Sequence, residues 1–303
     1  MKRLSLLGLL LAFLVCSVIV AQAEGIDLAF KYTKGQVNKY QLSTNTKLMI
    51  AGLEGMAGSD DMLNVKMSMN ITEKVLEVYE DGSAKIEAIY SNFAMTAPGV
   101  SPSDMADMPK SHSMIMTVGK NGQVLQLQGA DDNPGFMGMG VPGMEFGNVM
   151  NQMGVMGVIL PDQPVQVGGT WKKTVQFGNS SDNLRIISTL LGDAVQVGNK
   201  TACKIKQDYI GTLGPEAIAT ASGASGMSAE MVAKMIKEVD LKGWAVVYFD
   251  SVNGHVIKSN SNIVATVQVE MPTMTGMDDG STVSSAMPMT MKLDMTINLA
   301  RIQ

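Results

Sequence analysis

The 303-residue sequence has few of the residues from which disulfide frameworks, metal sites and catalytic centres are built. It contains two cysteines and two histidines, and aromatic residues make up 5% of it. Cys16 lies in an apolar N-terminal segment, so Cys203 is the single thiol of the remaining chain and an internal disulfide framework is excluded. Stability must therefore come from an apolar core, in which we expect Cys203 to be buried.

Motifs of catalysis are also missing. The chain has no glycine-rich phosphate loop, no His-Glu-x-x-His and no Gly-x-Ser-x-Gly sequence. Adjacent acids such as Asp60-Asp61 lack the spaced oxygen ligands of a calcium loop. We therefore expect no enzymatic activity and no cofactor.

Long apolar runs are absent after residue 20. Lys2 and Arg3 precede an apolar segment that ends in Ala21-Gln22-Ala23, which is the pattern of a cleaved export signal. We predict a signal peptide at residues 1–23 with cleavage after Ala23, and a mature protein that is periplasmic or secreted and does not span a membrane. Loss of Lys2 and Arg3 lowers the 23 basic side chains to 21 against 28 acidic ones, a net charge of −7. Because no basic cluster is present either, we expect no nucleic-acid partner.

Strict alternation of apolar and polar residues is the strongest pattern that is present. Every odd position from Met287 to Leu299 is apolar, and the same period appears in residues 63–71 and 263–271. One apolar and one polar face are typical of strands in antiparallel sheets. Four dipeptides between such segments are typical of hairpin turns, namely Asp81-Gly82, Asn121-Gly122, Gly198-Asn199 and Asn253-Gly254.

These elements occur twice in the same order, which predicts two related units at residues 24–133 and 162–303. Chance similarity among hairpin turns is the alternative explanation. Residues 134–161 form a Met- and Gly-rich connector that we expect to be apolar but poorly fixed. The expected fold class is mainly β (α+β), with two similar curved antiparallel sheets and few short helices, one of them at Ser228–Val239.

A resemblance to a family of exported bacterial proteins, many of them lipoproteins, supports this architecture. The family pattern is Leu-Pro, Pro-Val and then Val-Gly-Asp-x-Trp, and this chain has Leu160-Pro161, Pro164-Val165 and Val167-Gly168-Gly169-Thr170-Trp171. The resemblance covers nearly the whole mature chain, but Gly169 stands where the family commonly has Asp, and the lipid-bearing cysteine is missing. Because the family has no established activity, the resemblance implies location and architecture only.

Methionine is the residue in excess, with 27 copies. Many are two positions apart, for example Met67 and Met69, and such residues point to the same face of a strand. One hypothesis is that they fill the core in place of Leu and Val. A second is a deformable apolar groove for a lipid, a lipidated peptide or another hydrophobic ligand, with the connector as a lid. A third is Cu(I) binding by thioethers, with His112, Met114 and Met116 as the nucleus.

We therefore predict an exported, non-enzymatic binding protein of the cell envelope whose ligand is hydrophobic. A structural or assembly scaffold of the envelope is the alternative, and a Cu(I)-binding protein is the third hypothesis. The candidate ligand-binding residues are Met67, Met69, Met114, Met116, Met153, Met156, Met289, Met291 and Met295.

Overall fold

The computed structural model describes residues 25–51, 63–98, 111–128, 155–176, 183–215, 235–271 and 287–302. They form one antiparallel sheet of 11 strands. The strands are β1 (Val37–Ala51), β2 (Leu63–Val78), β3 (Ala84–Thr96), β4 (Ser111–Val118), β5 (Val124–Gln128), β6 (Thr170–Gln176), β7 (Asn183–Val197), β8 (Lys200–Leu213), β9 (Ile236–Asp250), β10 (His255–Met271) and β11 (Met287–Arg301). A 3-10 turn, Val155–Gly157, precedes β6. The prediction of a mainly β, antiparallel protein is confirmed.

The strand order is β5-β4-β3-β2-β1-β11-β10-β9-β8-β7-β6. The first and last strands are therefore neighbours in the middle of the sheet, where Tyr40 lies opposite Arg301. Strands β5 and β6, which follow each other along the chain, form the two edges. The strands of both predicted units thus belong to one continuous sheet, and the duplication itself stays a prediction.

Side-chain burial follows the predicted alternation. In β10 the odd residues Ile263, Ala265, Val267 and Val269 are buried, and in β11 the odd residues alternate with exposed Thr290, Lys292, Asn298 and Ala300. We call the face that holds these buried side chains the inner face. In β3 the alternation changes phase at Asn92, whose φ of 55° accompanies an irregular register with β2. This bulge turns Phe93 inward to the core.

The two ends of the sheet differ in their connections. Four short hairpins turn at one end, which we call the turn end, at Gly82, Gly122, Gly198 and Gly254, where φ is 83°, 87°, 63° and 67°. The predicted hairpin turns are thereby confirmed, since glycine adopts positive φ without a steric cost. The longer connections β1–β2, β3–β4, β6–β7, β8–β9 and β10–β11 leave from the opposite end, the loop end.

The N-terminal segment, residues 25–36, crosses the turn end. Phe30 N donates to Lys120 O at 2.7 Å, and Lys31 N donates to Gly254 O at 3.2 Å, so the segment links the β4–β5 turn to the β9–β10 turn. Leu28 and Phe30 are buried in the main core. The ring of Phe30 packs edge-on against that of Phe249, with centroids 5.3 Å apart.

The described end of the connector also closes this end of the sheet. Val158, Ile159 and Leu160 are at most 2% exposed. Leu160 N donates to Asn121 O at 2.8 Å, and the Trp171 indole N–H of β6 donates to Ile159 O at 2.9 Å. These residues are therefore a fixed part of the core, unlike the poorly fixed connector that we expected. Residues 134–154 lie outside the described residues.

The predicted helix at Ser228–Val239 is wrong in its last part. Ile236–Val239 begin strand β9, and Val239 is paired with Val267 of β10 and with Leu213 of β8. Pairing with two long strands outweighs the local helical spacing, because it satisfies the backbone and buries Val239 and Leu241. Residues 228–234 lie outside the described part. Cys203 is 1% exposed in β8, as predicted, and its burial raises the pKa of the thiol.

Candidate functional site

The predicted methionine residues lie on the inner face, but they fall into two clusters. Met69 and Met289 are buried in the main core, against which Met67, Met291 and Met295 pack while half-buried. Met114 and Met116 belong to a second buried cluster formed by β2, β3 and β4. Met156 packs against both clusters, and Met153 lies outside the described residues.

Toward the loop end of β1, β2 and β11, half-buried apolar side chains of the inner face lie among buried ones such as Met289 and Leu293. Near the turn end, Tyr40 and Ile71 are buried. Farther along, Ile50 lies opposite Met291, and both side chains are only half-buried. Leu48, Met67 and Met295 are half-buried as well. We call Leu48, Ile50, Met67, Met291 and Met295 the loop-end patch. It is an apolar surface of flexible side chains that the described part of the sheet leaves partly open.

The proposed Cu(I) nucleus lies in the second cluster. Met114 is 2% exposed, and its sulfur accepts a hydrogen bond from the Tyr90 hydroxyl at 3.8 Å. His112 is on the same face of β4, two residues from Met114. This hydrogen bond uses one of the two lone pairs of the sulfur, and Cu(I) binding stays a prediction.

A buried polar network that was not predicted lies at the turn end. The guanidinium of Arg301 donates from Nη2 to Asn38 Oδ1 at 2.9 Å and contacts His255 Nε2 through Nη1. His255 Nε2 is also 3.7 Å from Asp250 Oδ2. Asn38 lies opposite Glu73 in the β1–β2 register. The network therefore crosses strands β2, β1, β11, β10 and β9 and joins both ends of the chain.

Glu73 is the most strongly perturbed group of this network. It is 7% exposed, and burial raises the pKa of its carboxyl to about 7, although Asn38 and the positive charge of Arg301 act in the opposite direction. The nearby hydroxyls of Tyr32 and Tyr40 have pKa values raised by burial and by the Glu73 charge. The interior thus disfavours the ionised carboxylate, because the loss of hydration on burial raises its pKa more than the interactions with Asn38 and Arg301 lower it.

His255 is held neutral by its surroundings. Burial lowers the pKa of its imidazole, and the Arg301 charge lowers it further, while Asp250 acts in the opposite direction. Because Arg301 can only donate, Nε2 of His255 must accept, and the ring proton lies on Nδ1. Asp250 is held by its own turn, where its carboxylate accepts from Val252 N at 3.1 Å and from Asn253 N at 2.9 Å.

The network borders an open cleft of about 610 Å³. Lys31, Gln36, Lys200, Asp250, His255 and Arg301 are among the residues that line it. Its volume lies within the range of about 300–1,000 Å³ that is usual for ligand clefts. Among the residues that the structure describes, no group of three or more His, Cys, Asp or Glu side chains is arranged to hold a metal ion.

The alternation pattern contains a signal for this network. Glu73 follows Ile71 and precedes Val75 in the inward-facing phase of β2, and Arg301 follows Leu299 in that of β11. A charged residue in the apolar phase of a strand indicates a buried polar group. The partners of Arg301 could not be identified in this way, because Asn38 is 263 positions away in the sequence.

Comparisons with known proteins show no family. No family model and no curated protein match the chain. A structure titled "Lipid-protein interactions in lipovitellin" is similar with a TM-score of 0.41 and 7% identity, over 90% of this chain and 26% of that one. DynF, from the dynemicin biosynthesis pathway of Micromonospora chersina, is similar with a TM-score of 0.19 and 4% identity, over 89% and 83%. The chain spans about a quarter of the lipovitellin chain's length. In the described part of the chain, no helix is long and apolar enough to cross a membrane.

Proposed function

We propose that this chain is an exported, non-enzymatic protein of the cell envelope that binds a lipid, a lipidated peptide or a similar hydrophobic ligand on the loop-end patch. The observation that supports this function is the group of half-buried apolar side chains of the loop-end patch, which lie on the inner face beside buried residues such as Met289 and Leu293. Covering such a patch with a ligand would remove apolar surface from water, at about 25 cal/mol per Å². Thioether side chains adapt their shape to different apolar partners.

A pair of variants tests this proposal with a matched control. Met67 and Met295 lie on the inner face and pack against the main core, whereas Met49 is on the outer face of β1, opposite Lys292. All three methionines are half-buried. Changing Met67 and Met295 together to Gln places amides where the ligand would need apolar contacts, and each buried amide without a partner costs about 1–3 kcal/mol. Met49→Gln makes the same chemical change on the other face.

The assay is the fluorescence of the apolar probe N-phenyl-1-naphthylamine titrated with purified protein. We expect M67Q/M295Q to bind the probe at least about tenfold more weakly than the wild type. M49Q should stay within about twofold. Equal binding by all three proteins, or no binding by the wild type, would contradict the proposal. Native mass spectrometry without detergent is a second test, in which co-purified lipid supports the function and ligand-free, regular oligomers support a scaffold instead.

Export and the internal duplication belong to the same proposal. Intact-mass measurement of protein secreted from a bacterial host should show loss of residues 1–23. The duplication is supported by the strand order, because β5-β4-β3-β2-β1 and β10-β9-β8-β7-β6 follow each other in the same direction across the sheet. An experimental structure in which β1–β5 do not superpose on β6–β10 would contradict it.

A further inference from the structure

The cleft at the turn end has an excess of positive charge. Its lining includes three cations, Lys31, Lys200 and Arg301, against one carboxylate, Asp250, which is a net charge of +2 with His255 neutral. The whole chain has the opposite sign, with a formal net charge of −5. A concentration of positive charge in one cleft of an acidic protein favours an anionic ligand there.

Two of the cations are held in place by the fold. The Lys31 ammonium donates to Ser251 O at 2.9 Å and to Val252 O at 3.1 Å, which leaves one of its three N–H groups for a ligand. Arg301 is held between Asn38 and His255. Positively charged groups that are fixed before binding lose little conformational entropy when an anion arrives.

The carboxylate that lines the cleft does not pair with Lys31 or with the third cation, Lys200, which is open to a ligand. The Asp250 carboxylate is occupied by N–H donors of its own turn, including Asn253 Nδ2 at 2.8 Å. Lys200 is exposed at the start of β8, where its backbone pairs with Val197, and its ammonium has no hydrogen-bond or ion-pair partner within the described ranges. Its ammonium is therefore available to a ligand.

Gly254 allows the cleft to form. Its φ is +67°, and a Cβ atom at this position would lie 2.2 Å from Lys31 N. Only glycine permits the β9–β10 turn to approach residue 31 so closely. The N-terminal segment and the turn, which are more than 200 residues apart in the sequence, are thereby joined in one wall of the cleft.

We infer that this cleft binds a small oxyanion, a phosphate or carboxylate group, between Lys31, Lys200 and Arg301. The site lies at the turn end and does not depend on the function proposed for the loop-end patch. Lysine and arginine bind such groups through charge-assisted hydrogen bonds. The phosphate could be free in solution or belong to a lipid headgroup, and both sources offer the same oxygen atoms to the cleft.

Isothermal titration calorimetry with inorganic phosphate, and separately with acetate, tests this inference at constant ionic strength set with chloride. We expect saturable binding of at least one of them by the full chain, and about tenfold weaker binding by Lys200→Gln and by Lys31→Gln. Lys242→Gln removes an exposed lysine of β9 outside the cleft and should bind like the wild type. Since Lys200 is exposed and unpaired, its variant should fold even if the Lys31 variant does not.

Sedimentation with vesicles separates the two sources of the anion. Binding to phosphatidylglycerol vesicles but not to phosphatidylcholine vesicles, with a loss in Lys200→Gln, would support a lipid headgroup in the cleft. The inference is overturned if phosphate, acetate and both kinds of vesicle fail to bind. It is also overturned if Lys242→Gln weakens binding as much as Lys200→Gln does, since the protein would then act through general surface charge.

Discussion

Replacing Glu73 by Gln should make the protein more stable at alkaline pH and leave its stability unchanged in acid. Glu73 lies on the inner face of β2, and burial raises the pKa of its carboxyl from 4.5 to about 7. Gln has nearly the same shape as the protonated acid and cannot ionise. Its amide oxygen can still accept a hydrogen bond from the Asn38 side chain, as the carboxyl does.

The magnitude follows from the two pKa values. A tenfold change in proton affinity is worth about 1.4 kcal/mol, so the difference between 4.5 in the unfolded chain and about 7 in the folded one corresponds to about 3 kcal/mol. Between these pH values the folded chain binds more protons than the unfolded chain, so stability falls as the pH rises. Below pH 4.5 the effect disappears, and above pH 7 it is complete. E73Q should therefore exceed the wild type by about 3 kcal/mol at pH 8.

Urea unfolding followed by circular dichroism at pH 4, 6 and 8 measures this difference. Glu77→Gln is the control, because it makes the same chemical change at an exposed position of the same strand. His255 titrates in both proteins, so its contribution largely cancels in the comparison. A stability difference between E73Q and the wild type that is the same at all three pH values would refute the reasoning. Lower stability of E73Q at pH 8 would show that ionised Glu73 stabilises the fold through Arg301.

Three further changes have expected outcomes. Because the pKa of His255 is lowered in the folded chain, the unfolded chain binds a proton more readily below pH 6.5. The wild type should therefore lose more stability in urea unfolding than His255→Gln when the pH falls from 7 to 5; an equal loss of stability in both proteins would contradict this. Gly254→Ala should lower the unfolding free energy by at least about 1 kcal/mol more than Gly198→Ala. Both glycines have positive φ, but only a Cβ at position 254 would collide with Lys31, and equal losses in calorimetry would disprove this contact. Tyr209→Phe removes the hydrogen bond of 3.2 Å from the Tyr209 hydroxyl to the carbonyl of Gly157 in the 3-10 turn. It should lower the unfolding free energy by about 1 kcal/mol and speed hydrogen exchange in residues 155–160, whereas unchanged exchange would show that the bond does not hold this segment.

The strands were predictable because burial on one face leaves a period of two in the sequence. Met289, Leu293, Ile297 and Leu299 are buried as the alternation in β11 indicates. The hairpin turns were predictable for a different reason, since each of them needs a residue at positive φ, which favours glycine. The meeting of β1 with β11 could not be predicted, because alternation shows which face of a strand is buried and not which strand is its neighbour.

The same limit explains why the polar network was missed. Each of its residues belongs to a different strand, and only the register brings Asn38 opposite Glu73 and Tyr40 opposite Arg301. The inward phase of Arg301 in β11 indicates a charge that is turned toward the core, but it does not identify Asn38 as the partner.

The charged residues of the polar network lie at the turn end of the sheet, where the connections are short, and not at the loop end, where they are long. Buried charged and polar groups are tolerable only where their partners are fixed, since an unpaired one costs several kcal/mol. At the turn end, short hairpins and the bonded segments around Phe30 and Ile159 hold the backbone. Asp250 and the terminal nitrogens of Arg301 have partners there, whereas Arg301 Nε and His255 Nδ1 are buried without one among the described residues. Phe30 and Phe249 form an apolar layer next to the cleft, and their rings are in contact. They are the sequence neighbours of Lys31 and Asp250, which line the cleft. The loop-end patch lies on the other side of that core and has no charged residue among its members. An oxyanion and a hydrophobic ligand should therefore bind to different ends of this sheet without competing, and probe binding to the loop-end patch should stay the same when phosphate saturates the cleft.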